Sequence, residues 1–432
     1  MVILIKTLQV ILALSLLIIV HEFGHYIWAR IFGIRVDKFY LFFDVGGKAI
    51  ARWKWGETEF GIGWLPFGGY CKIAGMVDES LDTEQLKSEP KEWEFRTKPA
   101  WKRLFVMAGG VVNNFIFAIL AYIAIMAIWG QAYIDNKDSS IYVNDLAYEM
   151  GFRNGDRILS FDDYEPENFG MLQADLARRD VHSAKVLRGG DTLEIYIDQA
   201  MTEQVLNSPL MFDLAVPFVI DSVAAGSPNA SAGLRHGDRI VALDGREVSF
   251  VQDSRPILAG LCNSEVTASV VRAGDTLEVP VKVDSAGRIG VYMQMPGVKV
   301  ERYDILSAVP AGLKYTGETI GGYLRDLKLL VQPSTGAYKS VGSFIAIGQV
   351  FPATWDWYRF LNILALLSIM LGVINLVPIP GLDGGHILFT LYEMISGRKP
   401  SERFLVAAQM LGMILIFGLM ILAIGNDIGR VI

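Results

Sequence analysis

His21 and His25 stand one helical turn apart in His21-Glu22-Phe23-Gly24-His25. On a helix both imidazoles face the same way and can reach one metal ion, while Glu22 can reach a water on that ion. Zinc held in this HExxH arrangement is a Lewis acid that lowers the pKa of its water to about 7, and the glutamate accepts the proton as the water attacks a peptide carbonyl. The string lies inside an apolar run, Thr7 to Phe32, where each ionisable group costs a few kcal/mol unless it is paired or faces a wet cavity. A bound metal in an aqueous pocket is the simplest compensation. Catalytic zinc keeps three protein ligands and one open position, so a third ligand must come from elsewhere. His182 and His236 fall in the long middle segment, away from the apolar runs, and read as surface residues. The membrane-embedded or juxtamembrane candidates are Asp383 and His386 in the string from Asn375 to His386, where Pro378, Pro380 and Gly381 break the helix. Broken backbone at membrane depth is tolerated where it lines a cavity. On residue chemistry alone Asp383 and His386 are comparable ligands.

The elements that must position these residues follow from composition. The 432 residues are 52% hydrophobic, with a mean hydropathy of +0.35, too apolar for a soluble protein and too polar for one wholly in the membrane. Thr7–Phe32, Leu104–Trp129, Phe360–Val377 and Phe404–Ile424 each reach or approach the roughly 20 apolar residues that span a bilayer. No small-residue cleavage site follows the first run, which reads as an uncleaved span. Arg35, Lys38, Arg96, Lys98, Lys102 and Arg103 border the first loop, and Arg398, Lys399 and Arg403 the last. Both loops are expected on the cytoplasmic side, with the long middle segment outside. A net charge of -7 offers no basic surface for nucleic acid. That topology separates Cys71 from Cys262, so no disulfide is expected.

The middle segment contains a duplication. Gly-Phe-Arg-Asn-Gly-Asp-Arg-Ile at 151–158 returns as Gly-Leu-Arg-His-Gly-Asp-Arg-Ile at 233–240, and Arg-Gly-Gly-Asp-Thr-Leu-Glu at 188–194 returns as Arg-Ala-Gly-Asp-Thr-Leu-Glu at 272–278. Each unit reads as short strands around Gly-Asp turns and looks like a PDZ domain, a module that binds extended peptides by adding a strand to a sheet edge. Beyond it, Leu313, Ile320, Leu324, Leu327 and Val331 predict an amphipathic helix that lies on the outer membrane surface or packs on the second module. Between the first two spans, Ala49–Trp55 and Thr58–Trp64 around Gly56-Glu57 predict a β-hairpin.

With HEFGH in the first span, the NxxPxPxLDG string from Asn375 to Gly384, four spans and paired PDZ-like modules, nearly the whole chain resembles the site-2 protease family, in its bacterial type with tandem PDZ domains. The resemblance implies a membrane protein with four transmembrane helices, an intramembrane HExxH zinc site, a re-entrant β-hairpin offering an edge to substrate, and two PDZ-like α+β domains between spans two and three. It implies Zn2+ held by His21, His25 and Asp383, with Glu22 catalytic and His386 left in a supporting role. It further implies substrate binding by Asn375, and by Asn113 when the GPxxN element is counted from Gly109. The expected divisions are 1–130 (spans one and two with the hairpin loop), 131–213 and 214–298 (the PDZ-like domains), 299–357 (amphipathic helix and linker) and 358–432 (spans three and four). Expected substrates are single-span membrane proteins, such as a truncated anti-sigma factor, and remnant signal peptides. The implied location is a bacterial inner membrane, with the PDZ-like domains periplasmic and the site toward the cytoplasm. The alternative is a membrane PDZ scaffold that does not cut.

Overall fold

A computed structural model describes residues 2–76, 89–332 and 342–431. The chain forms two units, one of residues 1–130, 302–327 and 338–432, the other of 131–301 and 328–337. Helix α1 (Val2–Ile31) carries the HExxH string, and its buried residues include Ala13, Leu17, His21, Gly24, His25 and Ala29. Strands β1 (Val36–Phe43), β2 (Ala49–Trp55), β3 (Thr58–Gly63) and β4 (Leu65–Ile73) then form one sheet in the order β2-β3-β1-β4. The expected hairpin is present as β2 against β3, turning at Gly56 with φ 63°, but it is half of a larger sheet. β1 runs parallel to β3 and antiparallel to β4. Pro66, Gly68 and Gly69 make β4 read as a loop. Gly69 is required there, because a Cβ would lie 2.4 Å from Ile18 of α1. Helix α2 (Ala100–Trp129) crosses α1 through glycine, since a Cβ on Gly24 would meet the Gly109 oxygen at 2.1 Å. Small residues at such a crossing let two apolar helices gain van der Waals contact where burial from water cannot drive association.

The second unit begins with β5 (Gln131–Ile134), β6 (Ile141–Val143), α3 (Asp145–Glu149), β7 (Arg157–Phe161), α4 (Leu172–Arg178), β8 (Ser183–Arg188), β9 (Asp191–Tyr196), α5 (Thr202–Asn207) and β10 (Phe212–Leu214). It continues with β11 (Ile220–Val223), β12 (Arg239–Leu243), β13 (Arg246–Glu247), α6 (Val251–Ala259), β14 (Glu265–Arg272), β15 (Asp275–Lys282), β16 (Val291–Met293) and β17 (Val298–Glu301). Each repeat folds around its own core, one running from Ile141 to Val216 and the other from Phe218 to Ile289. The expected division after residue 213 therefore falls inside β10. The next, after 298, falls inside β17, which pairs with β5 and closes the unit on itself.

The two duplicated strings meet in each repeat. Arg188 grips the fully buried Asp156 through Nε and Nη2, both at 2.7 Å, and Arg272 grips Asp238 identically. The Arg272 guanidinium holds the Asp238 carboxyl below its usual range. Removing either arginine strands a buried carboxylate, so the two strings in each repeat depend on one another.

The chain returns through α7 (Ile305–Leu330), α8 (Phe344–Val350), α9 (Trp357–Leu376), α10 (Asp383–Ser396) and α11 (Glu402–Val431). Helices α1, α2, α9 and α11 are long and apolar enough to cross a membrane. Helix α7 corrects the expected stripe. It buries Ala308, Gly312 and Thr316 and packs Tyr315, Ile320, Tyr323 and Leu327 against α2 and α9, while Leu313 and Leu324 stay about half exposed. A Cβ on Gly312 would lie 2.8 Å from the backbone nitrogen of Ile123. A face of small residues brings the backbones together, and an apolar stripe does not reveal it. Residues 333–341 of the expected linker lie outside the described residues.

Candidate metal centre

Asp383 is set by the break between α9 and α10. Pro378 and Pro380 lack the N–H groups that would continue α9 past Leu376, and Gly381 turns the chain at φ 100°. Gly384 and Gly385 lie against the carbonyls of Val377 and Ile379, where a Cβ would approach to 2.2 and 2.7 Å, and Gly412 of α11 lies against the Pro380 carbonyl. This folding puts Asp383 in the first turn of α10, facing α1. Its Oδ2 lies 3.2 Å from His21 Nε2 and 3.4 Å from His25 Nε2, and the two Nε2 atoms are 3.3 Å apart.

Two of these three atoms, His25 Nε2 and Asp383 Oδ2, converge as bare acceptors. His25 Nδ1 donates to the Val106 carbonyl at 2.8 Å, which leaves Nε2 with a bare lone pair. Asp383 Oδ2 is buried and makes no hydrogen bond. Lone pairs at such distances repel unless a cation lies among them. The separations are those set by an ion about 2.0–2.1 Å from each donor in tetrahedral coordination, roughly 3.3 Å. The donor set, two neutral imidazoles and one carboxylate, suits zinc.

Around this centre lies a cavity of about 510 Å³ whose lining includes Glu22, Asn375 and His386 together with the three donors. The Glu22 carboxylate accepts a hydrogen bond from the backbone of Cys71 in β4. Asn375 Nδ2 lies 3.4 Å from His21 Nε2. β4 is an end strand of its sheet, and Gly69 to Ile73 line the cavity. Gly110 stands against both imidazoles, where a Cβ would lie 2.5 Å from His25 Nε2.

Asn113 is not part of this cluster, since its Nδ2 reaches the Val20 carbonyl at 3.3 Å. The neighbouring Asn114 is fully buried, and its amide lies 3.1 Å from His21 Nδ1. With the amide oxygen turned to that atom it accepts the Nδ1–H and fixes the Nε2 lone pair toward Asp383. Counting the five-residue element from Gly110 instead of Gly109 selects Asn114, and that was the available signal. Asn114→Ala is expected to weaken zinc affinity by about 10–100-fold, while Asn113→Ala leaves it unchanged. Competition with a chelator of known affinity measures both, and equal effects would refute the assignment. Of the remaining histidines, His182 and His236 both have side chains 71% exposed, as expected of surface positions.

The sequence profile described as peptidase family M50 matches residues 9–419. The regulator of sigma-E protease RseP of Salmonella typhimurium is 31% identical over 451 residues, covering 97% of both chains. The regulator of sigma E protease of Haemophilus influenzae is 29% identical over 450 residues, covering 97% of this chain and 98% of its own. A Vibrio cholerae protein bearing the name of a zinc metalloprotease is 29% identical over 453 residues, covering 97% of both.

Proposed function

The chain belongs to peptidase family M50 and is a zinc metalloprotease of a membrane, and from that premise we propose that it cuts transmembrane segments of single-span proteins. The observation that carries this reading is the convergence of His21 Nε2, His25 Nε2 and Asp383 Oδ2 beside Glu22, in a cavity lined by the end strand β4. Bound zinc would supply Lewis acidity toward a water and toward the scissile carbonyl. His21, His25 and Asp383 would hold it, with Val106 and Asn114 fixing the imidazoles.

Glu22 takes the proton of the attacking water and returns it to the leaving amine. The carbonyl to be attacked is hidden while the substrate is helical, because each of its backbone groups is bonded within the helix. Unwound substrate can instead extend along the β4 edge, trading its own hydrogen bonds for those of the strand. Asn375 offers an amide that donates to a peptide carbonyl and accepts from its N–H.

The repeat modules read as PDZ domains lying on the periplasmic side of a bacterial inner membrane, with the metal centre toward the cytoplasm. The relatives' names support regulated proteolysis in a sigma-E response. A truncated anti-sigma factor and remnant signal peptides are the substrates this reading favours, the modules screening out intact outer domains. In detergent, purified protein will cut a truncated single-span substrate faster than its full-length parent. Chelation will stop cleavage and zinc will restore it. Cleavage that survives complete metal removal sinks the metalloprotease reading, and equal rates on the two substrates sink the screening role.

A further inference from the structure

Gln409 lies on α11, a helix whose outward residues Leu411 and Ile414 are 69% and 67% exposed and suit contact with lipid. Gln409 itself is only 4% exposed, lines the metal cavity and makes no hydrogen bond to any described residue. Met413 and Phe417 follow it at successive helical turns and line the same cavity, so the three form one stripe along α11. Its amide therefore opens on the cavity with its donors and acceptor uncommitted within the described protein, where a polar group that enters the cavity can meet them. The cavity is also lined by Gly69 to Ile73 of β4, the strand at one end of its sheet among the described residues.

Resting on the protease reading above, we propose that Gln409 is a substrate-positioning residue. Its side-chain amide hydrogen-bonds a peptide group of the unwound segment held along β4, and Met413 and Phe417 form the apolar wall for the substrate side chains beside that group. A peptide group is the fitting partner because it presents one donor and one acceptor, the complement of a primary amide. The bond is made in the bound substrate and in the transition state alike, so its loss acts on KM more than on kcat.

The test uses the full-length protein in detergent and a single-span substrate series in which backbone N–H groups near the scissile bond are replaced, one at a time, by ester oxygens. Gln409→Met is expected to raise KM about tenfold, the size of one hydrogen bond, with kcat within about twofold, zinc content unchanged and the melting temperature unchanged. At one position the ester will slow the wild type about tenfold and leave Gln409→Met unaffected, the non-additivity that marks a direct contact. An unchanged KM, or equal ester sensitivity of both proteins at every position, overturns the proposal. A fall in zinc content or melting temperature shared by Gln409→Met and Gln409→Leu also overturns it, because the residue is then structural. Cleavage by the wild type but not by Glu22→Gln in the same assay secures the protease reading independently, and failure of the wild type to cut counts against that reading instead.

Discussion

Glu22→Gln is expected to lower the cleavage rate by about 10²–10⁴-fold, the range for removing a positioned general base, while zinc content stays at the wild-type level. The amide keeps the size of the carboxylate and its contact with the backbone of Cys71, but it cannot take a proton from water. Glu22 is also separate from the three converging donors. Loss of activity with zinc retained therefore isolates proton transfer from metal binding. Zinc analysis beside single-turnover cleavage makes the measurement, and a variant that still cuts at more than about a tenth of the wild-type rate would contradict the role given to Glu22.

Asp383→Ala is expected to fail at the earlier step. It removes the only carboxylate among the three converging donors, leaving two imidazoles that bind zinc more weakly. The loss of affinity should exceed the roughly 10–100-fold that outlying hydrogen-bond partners of metal ligands contribute, and activity should fall with it. His386 lines the same cavity and is the natural substitute. If Asp383→Ala held zinc as tightly as the wild type and His386→Ala lost it, the third ligand would be His386.

Much of the metal centre was legible in the sequence because its chemistry is local. The spacing of His21 and His25 states their common face, and ionisable groups in an apolar run demand a reason. The prolines and glycines after Asn375 announce a broken helix. Residue chemistry left Asp383 and His386 open and the family resemblance favoured Asp383; in the fold, packing of Gly384, Gly385 and Gly412 against neighbouring carbonyls goes with that carboxylate turned toward α1. Motif counting selected Asn113 with Asn114 beside it, and adjacent residues on a helix differ by about 100° in direction, so only the fold shows that Asn114 is the one beside His21. β4 was missed because its glycines serve close approach to neighbouring elements, which in one dimension is indistinguishable from loop composition. Gln409 lay unremarked in the fourth apolar run, where a polar residue has meaning only once its direction is known.

The ladder between β5 and β17 sets Gln131 directly opposite Glu301. Cα atoms paired across antiparallel strands lie about 4.5–5.5 Å apart, so the whole repeat-bearing stretch begins and ends at nearly one point. To the catalytic half it is topologically a single hairpin turn, whatever its length. Modules could then be gained, lost or exchanged in evolution by crossovers at this doorway, with selection on what they recognise proceeding independently of selection on the chemistry.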